Sequence, residues 1–274
     1  MEQQKLTESI QFLSKRIKHK PTIAIILGSG LGSLADELNQ KEIIECKDIP
    51  HYPTPQVSGH AGHWVTGNLD DVRVLALKGR VHTYEGYSAR EVTYPIRVIK
   101  KLGILKLIVT NAAGGINDSF KAGDLMVITD HINFLFDSPL ISDNSLSAED
   151  RFIDLSQAYD PKYIREALQV AKSLKIPLKT GVLICFQGPS YETAAEIKMA
   201  KILGADAGTM STVPEVIATN QLKMRVLGIS CITNMATGIT NKKLSHEEVT
   251  KTADRIKKKF EKLMKEILKH LPNW

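Results

Sequence analysis

A glycine-rich segment near the start of the chain has the composition of an anion-binding turn. Residues 28–33 read Gly-Ser-Gly-Leu-Gly-Ser, follow the apolar run 22–27 and open a short amphipathic stretch at 34–38. Glycines let successive backbone N–H groups turn toward one anion, and a helix N-terminus adds a favourable dipole. The segment fits a phosphate-binding turn and, equally, a strand-to-helix turn without a ligand.

The same segment excludes one nucleotide motif and leaves another open. It is not a Walker A loop, because no Lys-Ser or Lys-Thr pair follows. The dinucleotide fingerprint fits in part: Ser33 stands at its third glycine position, and Asp48 lies about twenty residues further on. A nicotinamide- or flavin-dependent oxidoreductase is therefore an alternative interpretation of this segment.

A second polar cluster follows the apolar run 72–77. Arg80, His82 and Tyr84 are spaced by two, so an extended backbone would place a guanidinium, an imidazole and a phenol on one side. Such donors suit an oxyanion. Charged residues at strand ends are also common on plain surfaces, and the nearby glycine-rich segment favours the anion site.

The histidines and cysteines indicate neither a metal site nor a disulfide framework. His60 and His63 lack nearby carboxylate or thiol ligands, so no metal is predicted, and His60 reads as a gating or phosphate-side residue. The cysteines are odd in number, far apart and outside any Cys-x-x-Cys motif. We interpret Cys46, Cys185 and Cys231 as small core residues.

Polar residues also follow two further apolar runs. Asn111 opens a small-residue turn, 111–115, at the end of the run 105–110, where open α/β sheets place ligands. Asn234 follows the run 225–233 and would be a mostly buried amide that needs hydrogen-bond partners.

Two strand-to-helix connections in the second half carry further candidates. Tyr191 and Glu192 put an aromatic ring beside a carboxylate, although Ser or Thr with a nearby Glu is also how helices begin. Met210 and Ser211 offer a thioether and a hydroxyl. None of these groups identifies a reaction by itself.

The elements that must position these residues indicate an α/β architecture, because short apolar runs rich in β-branched residues alternate with amphipathic stretches. The predicted strands are 22–27, 72–77, 105–110, 125–129, 181–186 and 225–233, and the predicted helices are 6–18, 91–102, 161–174, 192–203, 213–222 and 246–270. The predicted N-caps are Thr7, Asp160, Thr212 and Ser245, and the predicted C-cap glycines are Gly103 and Gly204. No linker or repeat divides the chain, so residues 1–274 are predicted to form a single domain.

Composition narrows the class of protein. The chain has 274 residues, 43% of them hydrophobic, which suffices for a sizeable core. Its net charge of +6 comes from basic residues concentrated near the ends, and we interpret these as solvated surface, without nucleic acid as a partner. No signal peptide or apolar run of roughly 18 residues is present, so we expect a cytoplasmic protein that does not bind membranes. The polar stretch 136–156 is a candidate lid or subunit contact, or an ordinary surface loop.

Taken together, these motifs resemble the trimeric purine nucleoside phosphorylase family, which also includes the methylthioadenosine phosphorylases. The resemblance covers nearly the whole chain, in the family's order, through residues 26–32, 59–62, 79–87, 110–115, 188–193, 210–215, 232–234 and 246–249. It implies a central mixed, twisted β-sheet flanked by helices and a homotrimer with the active site near a subunit interface. It also implies reversible phosphorolysis of purine nucleosides in purine salvage, with inorganic phosphate as co-substrate and no cofactor.

The resemblance assigns roles to the residues at matching positions. The implied phosphate ligands are Ser29, His60, Arg80, His82, the backbone at Ala112, and Ser211. The implied ribose contacts are Tyr84, Met210 and His246, with Phe152 contributed by a neighbouring subunit. The implied base site consists of Tyr191, Glu192, Asn234 and Asn111. We expect catalysis to depend on Asn234, Glu192, His82 and His246.

The reaction that the family implies is a displacement at the anomeric carbon through an oxocarbenium-like transition state. Asn234 would stabilise the departing purine at N7 and the 6-oxygen, while phosphate places negative charge near the developing cation. An ionised Glu192 only accepts hydrogen bonds; a 6-oxopurine presents N1–H to it, whereas adenine presents a lone pair. We therefore expect inosine, guanosine and their deoxy forms to be preferred over adenosine.

The chain departs from the family's pattern at two places. Gly208-Thr209 stands where members typically have Val-Gly, so a valine contact to the base would be missing and a β-branched side chain replaces a glycine. We expect an altered backbone there that weakens base binding or shifts specificity. Tyr191 replaces the common phenylalanine and adds a hydroxyl beside the base.

Three further functions stay open at this point. Methylthioadenosine phosphorylases carry an aspartate at the position of Asn234, which argues against that activity. A nucleoside hydrolase is a close chemical competitor, and the cluster of Ser29, Arg80 and His82 favours phosphate over water as the nucleophile. A catalytically silent binding or assembly protein of the same fold draws its support from Gly208-Thr209.

Overall fold

The structure is a computed structural model that describes residues 2–54, 62–141, 146–240 and 246–271. Its strands are β1 Ile23–Leu27, β2 Asn39–Glu45, β3 His63–Leu69, β4 Val72–Lys78, β5 Lys106–Gly115, β6 Leu125–Asn133, β7 Leu178–Cys185, β8 Ala207–Thr209 and β9 Arg225–Met235. Its α-helices are α1 Glu2–Ser14, α2 Ala89–Val92, α3 Tyr94–Lys101, α4 Ala148–Arg151, α5 Pro161–Ser173, α6 Ala194–Ile202, α7 Val213–Gln221 and α8 His246–His270. Two predicted residues, His60 and the N-cap Ser245, lie outside the described residues.

Within the described ranges, the strands form one mixed sheet in the order β2-β3-β4-β1-β5-β8-β7-β6-β9, and β9 also pairs with β5. The last five strands in this order therefore close into a ring. The first four form an open extension of the sheet beside β5. Strands β4, β1, β5 and β9 run parallel to one another through consecutive pairs. Their carboxyl ends lie at one edge, which is where open α/β sheets bind ligands. The predicted α/β fold with a mixed central sheet is confirmed.

The centre of the sheet is buried on both faces, which explains the continuous apolar run of β1. Ile25 belongs to a hydrophobic cluster that includes Phe260 of α8, whereas its neighbour Ile26 belongs to a second cluster that includes Ile99 of α3. Successive residues of a strand point to opposite faces, so a strand covered by helices on both sides must be apolar throughout. The three cysteines are also buried, as predicted: Cys46, Cys185 and Cys231.

Most of the predicted helix boundaries are correct. Asp160 caps α5, accepting hydrogen bonds from the backbone N–H groups of Lys162 and Tyr163 at 2.9 and 3.2 Å. Gly103 and Gly204 follow α3 and α6 with φ of 81° and 92°, the left-handed conformation that glycine adopts without strain.

The prediction of 6–18 for the first helix is wrong at both ends, since α1 spans Glu2–Ser14. Thr7 is not an N-cap, because α1 already begins at Glu2. The Thr7 hydroxyl instead donates to the Gln3 carbonyl one turn earlier in the same helix. Threonine makes this bond inside helices as readily as it caps them, so its type alone does not locate a helix start.

Three strands were not predicted. The edge strand β2 has the sequence Asn-Gln-Lys-Glu-Ile-Ile-Glu and is largely exposed, so it lacks the apolar pattern of a core strand. Strand β3 contains Gly67 and Asn68, and β8 has only three residues. Pairing with neighbouring strands, which no local pattern reports, stabilises all three. None of the described helices is long and apolar enough to cross a membrane.

Candidate active site

A cavity of about 300 Å³ opens at the carboxyl ends of β1, β5 and β9 and beside β8. Eleven of the predicted site residues line it: Ser29, Arg80, His82, Tyr84, Asn111, Ala112, Tyr191, Glu192, Met210, Ser211 and Asn234. The volume lies at the lower end of the range typical of small-molecule sites. The structure thus brings together segments from both halves of the chain.

Three predicted site residues are missing from the described lining of this cavity, and for two of them the structure describes no side chain. His60 lies outside the described residues. His246 is the first residue of α8. Phe152 follows α4, is 82% exposed and does not line the cavity of its own chain. The family resemblance implies that Phe152 acts in a neighbouring subunit, and that role stays a prediction.

The glycine-rich segment reaches the cavity through Gly28 and Ser29. The Gly28 N–H donates to the Thr110 hydroxyl at 3.2 Å, so this donor ties β1 to β5. A 3₁₀ helix, Gly32–Glu37, follows the segment in place of an α-helix, which weakens the dipole argument for anion binding. Asp48, the acidic residue of the dinucleotide alternative, is not among the lining residues.

Arg80 is buried at the cavity wall, and neighbouring groups hold its guanidinium on several sides. Nη1 donates to Ser211 Oγ at 2.9 Å and to Thr212 Oγ1 at 3.2 Å, while Nη2 donates to the Thr110 carbonyl at 2.8 Å. Nε lies 3.2 Å from Oε1 of Glu215. A guanidinium held in this way is preorganised to bind an anion, because little side-chain freedom remains to be lost.

Glu215 is the site residue that the sequence analysis did not single out. Its side chain is 6% exposed, as is that of Arg80. Burial raises the pKa of the Glu215 carboxyl, and the positive charge of Arg80 opposes that rise. The only sequence signal was a glutamate three residues after Thr212, which indicates a helix start and nothing about Arg80.

Thr212 occupies the predicted N-cap position of α7 but does not cap the helix with its side chain. Its backbone has a positive φ, with φ 76° and ψ −48°, and the Val213 N–H donates to the Ser211 carbonyl at 2.9 Å, as in a γ-turn. This conformation costs a β-branched residue about 1–3 kcal/mol. The hydroxyl turns toward the cavity wall and accepts from Arg80 Nη1 and from Asn111 Nδ2, the latter at 2.9 Å. The strain therefore places a hydroxyl beside the anion site.

His82 begins a 3₁₀ turn, Thr83–Glu85, and Glu85 fixes it twice. The His82 backbone N–H donates to Glu85 Oε1 at 2.7 Å, and the ring Nδ1 lies 3.0 Å from the same oxygen. A carboxylate at Nδ1 selects the tautomer with the proton there and leaves Nε2 as the acceptor when the ring is neutral. The ring stacks on Tyr84 with centroids 4.6 Å apart.

The predicted extended geometry is wrong for Tyr84, which lies in that 3₁₀ turn. All the same, Arg80, His82 and Tyr84 all line the cavity. Burial raises the pKa of the Tyr84 hydroxyl to about 12, so at neutral pH the phenol is a neutral donor and acceptor.

A second part of the wall carries Asn234 and Glu192. Asn234 Oδ1 accepts from the Thr233 hydroxyl at 2.9 Å, and Nδ2 donates to the Met235 carbonyl at 3.2 Å. These bonds orient the amide and leave it further donor and acceptor capacity. Burial raises the pKa of the Glu192 carboxyl, and the negative charge of Glu196 adds to that effect.

The turn predicted at 111–115 is a continuation of β5, with a register shift against β9 between Ala113 and Gly114. This irregularity sets Gly114 opposite Asn234. A Cβ at Gly114 would lie 3.4 Å from Asn234 Nδ2, an ordinary contact distance. A Cβ at this position would therefore be accommodated beside the Asn234 amide.

Strand β8 accommodates Gly208 and Thr209 with regular pairing, Gly208 opposite both Gly114 of β5 and Ile184 of β7. The expected disturbance of the backbone is not seen. Thr209 is buried, and its hydroxyl lies 3.3 Å from the Ala112 carbonyl and 3.4 Å from Ser211 Oγ. Both residues line the cavity, so Thr209 adds a hydroxyl to its wall.

The chemistry available in the cavity divides between two parts of its wall. Arg80, Ser211 and Ser29 offer a cation and hydroxyls, the groups that bind a phosphate. Asn234 and Glu192 offer an amide and a carboxylate, which match the donors and acceptors at the edge of a heterocyclic base. Aromatic side chains of Tyr84 and Tyr191 supply apolar surface nearby.

Residues 22–269 match the family model described as the Phosphorylase superfamily. The chain is 50% identical to purine nucleoside phosphorylase 1 of Bacillus subtilis (strain 168) over 264 residues, covering 96% of this chain and 97% of that one. It is 47% identical to purine nucleoside phosphorylase 1 of Geobacillus stearothermophilus, over 97% of each chain.

Solved structures agree with these sequence relationships. Isoform 2 of the Schistosoma mansoni purine nucleoside phosphorylase, in complex with cytosine and ribose-1-phosphate, superposes with a TM-score of 0.92 at 36% identity, covering 98% of this chain and 97% of that one. The Schistosoma enzyme in complex with hypoxanthine gives a TM-score of 0.91, also at 36% identity, and covers 98% of both chains.

Proposed function

This chain belongs to the phosphorylase superfamily and within it to the purine nucleoside phosphorylases, and from that membership we propose that it catalyses the reversible phosphorolysis of 6-oxopurine nucleosides. The products are the free base and ribose or deoxyribose 1-phosphate, as purine salvage requires. The observation that carries the proposal is one cavity lined by both an arginine–hydroxyl cluster and an amide–carboxylate pair. A nucleophilic anion and a nucleoside bound there would be held together.

At the phosphate side, Arg80, Ser211 and Ser29 hold the anion, and His82 adds a hydrogen bond whose direction depends on the protonation of phosphate. The guanidinium needs little rearrangement, because its contacts with Ser211 and Thr110 are already made. Bound phosphate then places negative charge near the oxocarbenium-like sugar as the glycosidic bond breaks. Inorganic phosphate is the co-substrate, and the reaction as proposed uses no cofactor or metal.

At the base side, Asn234 stabilises the negative charge that moves onto the departing purine. Hydrogen bonds to the Thr233 hydroxyl and the Met235 carbonyl orient the amide. Its remaining donor and acceptor therefore face the base without a change of rotamer. An ionised Glu192 accepts from N1–H of a 6-oxopurine and faces a lone pair in adenine. Inosine and guanosine are therefore the proposed substrates, with methylthioadenosine cleavage the alternative within the family.

Release of hypoxanthine from inosine, measured with and without inorganic phosphate, tests the reaction class. Adenosine and methylthioadenosine serve as parallel substrates. Phosphate-dependent cleavage of inosine, with adenosine cleaved at least about a hundredfold less efficiently, is the expected result. Phosphate-independent cleavage would identify a nucleoside hydrolase, and cleavage of no substrate would leave a binding or assembly role.

We further propose a homotrimer in the cytoplasm. In support, large apolar side chains of the stretch 136–156 are exposed in the single chain: Phe136 is 84%, Ile141 56% and Phe152 82% exposed. Exposed apolar residues grouped in one segment are typical of a protein contact. The three cysteines form no disulfide, which is typical of a reducing compartment.

A further inference from the structure

Glu215 is a buried carboxylate that takes no part in the reaction as proposed above. Its Oε1 lies 3.2 Å from Arg80 Nε. Its other oxygen, Oε2, is buried and has no hydrogen-bond partner among the residues that the structure describes. A half-satisfied buried carboxylate is a poor way to stabilise a fold, since well-packed apolar residues often do as well or better. A functional reason for Glu215 is therefore needed.

Helix capping does not supply that reason. The Thr212 backbone donates a hydrogen bond to Glu215, as in half of a capping box. Glu91 makes the same type of bond at the third position of α2, accepting from the Ser88 N–H at 2.8 Å, and it does so at the protein surface. A capping glutamate thus has no need to be buried or to meet an arginine.

The contacts of Glu215 converge on the anion side of the cavity. Its carboxylate contacts Arg80, whose Nη1 donates to Ser211 and Thr212. It also accepts from the backbone of Thr212, the residue with the strained positive φ. The contact with Arg80 is ionic, whereas Ser211, Thr212 and the Thr110 carbonyl are neutral acceptors. Opposite charges in a buried pair attract each other with little screening by solvent, so Glu215 holds the Nε side of the guanidinium, which the neutral acceptors do not contact.

We propose that Glu215 is a positioning residue for phosphate, which holds the Arg80 side chain and the Thr212 backbone so that the Arg80 guanidinium and Ser211 Oγ bind one anion together. The inference rests on the proposed phosphorylase function. The negative charge of Glu215, taken alone, would have the opposite effect, because it reduces the attraction between Arg80 and an incoming anion. Positioning and charge therefore predict opposite changes in phosphate binding when Glu215 is replaced.

Two variants separate these effects. Glu215→Leu removes both the charge and the acceptor at similar volume, and Glu215→Gln removes the charge but keeps one acceptor oxygen. Steady-state phosphorolysis of inosine gives KM for phosphate and KM for inosine in each variant. The expected phosphate KM rises about tenfold or more in Glu215→Leu and about threefold in Glu215→Gln, while the inosine KM stays within about twofold. Glu91→Gln is the matched control, with both constants unchanged.

A phosphate KM that is unchanged or lower in both variants would overturn the positioning role, since loss of charge alone lowers it. If circular dichroism shows that Glu215→Leu does not fold, the phosphate KM and the inosine KM of Glu215→Gln test the positioning role instead. An equal rise in both KM values would indicate general damage to the site and would also overturn the inference. Failure of the proposed function is a different result: the unmodified protein would then not require phosphate at all.

Discussion

At the scale of single residues, three hydroxyl groups form a hydrogen-bonded series from β8 to the start of α7. Thr209 Oγ1 lies 3.4 Å from Ser211 Oγ, which lies 3.3 Å from Thr212 Oγ1. Ser211 and Thr212 both accept from Arg80, so each hydroxyl still has a proton to donate to a neighbour or an anion. Thr209 accordingly influences the direction in which the Ser211 proton points.

Because Thr209 contacts Ser211 through its hydroxyl, we expect the phosphate KM to depend on that hydroxyl and not on the shape of the side chain. Thr209 donates its own proton to the Ala112 carbonyl and therefore accepts the Ser211 proton. Thr209→Val keeps the shape and the β-branch but removes this acceptor and leaves the Ser211 proton for the anion, so we expect the phosphate KM to fall about fivefold, equivalent to one ordinary hydrogen bond of about 1 kcal/mol. Thr209→Ser keeps the hydroxyl and should stay within about twofold of the unmodified protein. Steady-state phosphorolysis with varied phosphate measures both. Equal constants for Thr209→Val and the unmodified protein would show that the hydroxyl does not matter.

At the scale of elements, the start of α5 is tied to the start of β9. Asp160 caps α5 through its side chain, pairs with Arg225 Nε, and donates its backbone N–H to the Val226 carbonyl at 3.0 Å. The Arg225 guanidinium also lies over the Tyr163 ring, 4.4 Å from its centroid. One aspartate thus connects a helix on the face of the sheet to the strand that ends at Asn234.

We expect Asp160→Ala to lower the free energy of unfolding by about 2 kcal/mol, because it removes a helix cap and the partner of Arg225. Asp160→Asn keeps a capping side chain and should lose about half as much. Urea unfolding followed by circular dichroism measures the difference. The phosphate and inosine KM values should not change in either folded variant. A midpoint for Asp160→Ala equal to that of the unmodified protein would contradict the cap's contribution.

At the scale of the whole molecule, closure of the sheet determines where the site forms. Pairing of β9 with β5 completes the ring and brings Asn234 beside Gly114, while β8 inserts between β5 and β7. The exposed aromatic residues of the stretch 136–156 lie outside the cavity of the chain that carries them. An assembly in which one subunit covers the sugar of its neighbour would use an exposed apolar surface of this kind.

The proposed trimer predicts the results of two measurements, the mass of the assembly and the effect of replacing Phe152. Light scattering after size-exclusion chromatography should give a mass three times that of the 30.4 kDa chain. Phe152→Ala should raise the inosine KM several-fold and leave the phosphate KM within about twofold, because the lost contact is to the sugar. Ile202→Ala, at a site 77% exposed on α6, is the control and should change neither constant. A monomeric mass would contradict the trimer and the role of Phe152 together.

Local patterns were sufficient for those features whose causes lie within a few residues. The core strands were predictable because burial on both faces makes them apolar, as in β1. The cap at Asp160 and the left-handed glycines Gly103 and Gly204 follow from bonds to adjacent turns. The lining residues Ser29 and Asn234 were predictable because polar groups follow strand ends. Their assignment to phosphate and base came from the family resemblance.

Other features depend on residues that are far apart in the chain, and no local pattern reports them. Arg80 and Ser211 are separated by 131 positions and Asn111 and Thr212 by 101. Folding alone brings Glu215 to Arg80, and the same contacts stabilise the positive φ of Thr212, which an isolated threonine would avoid. Strands β2, β3 and β8 likewise exist through pairing with their neighbours. The chain's own residue types therefore set its strands and its candidate chemistry, whereas long-range contacts set the geometry in which that chemistry is held.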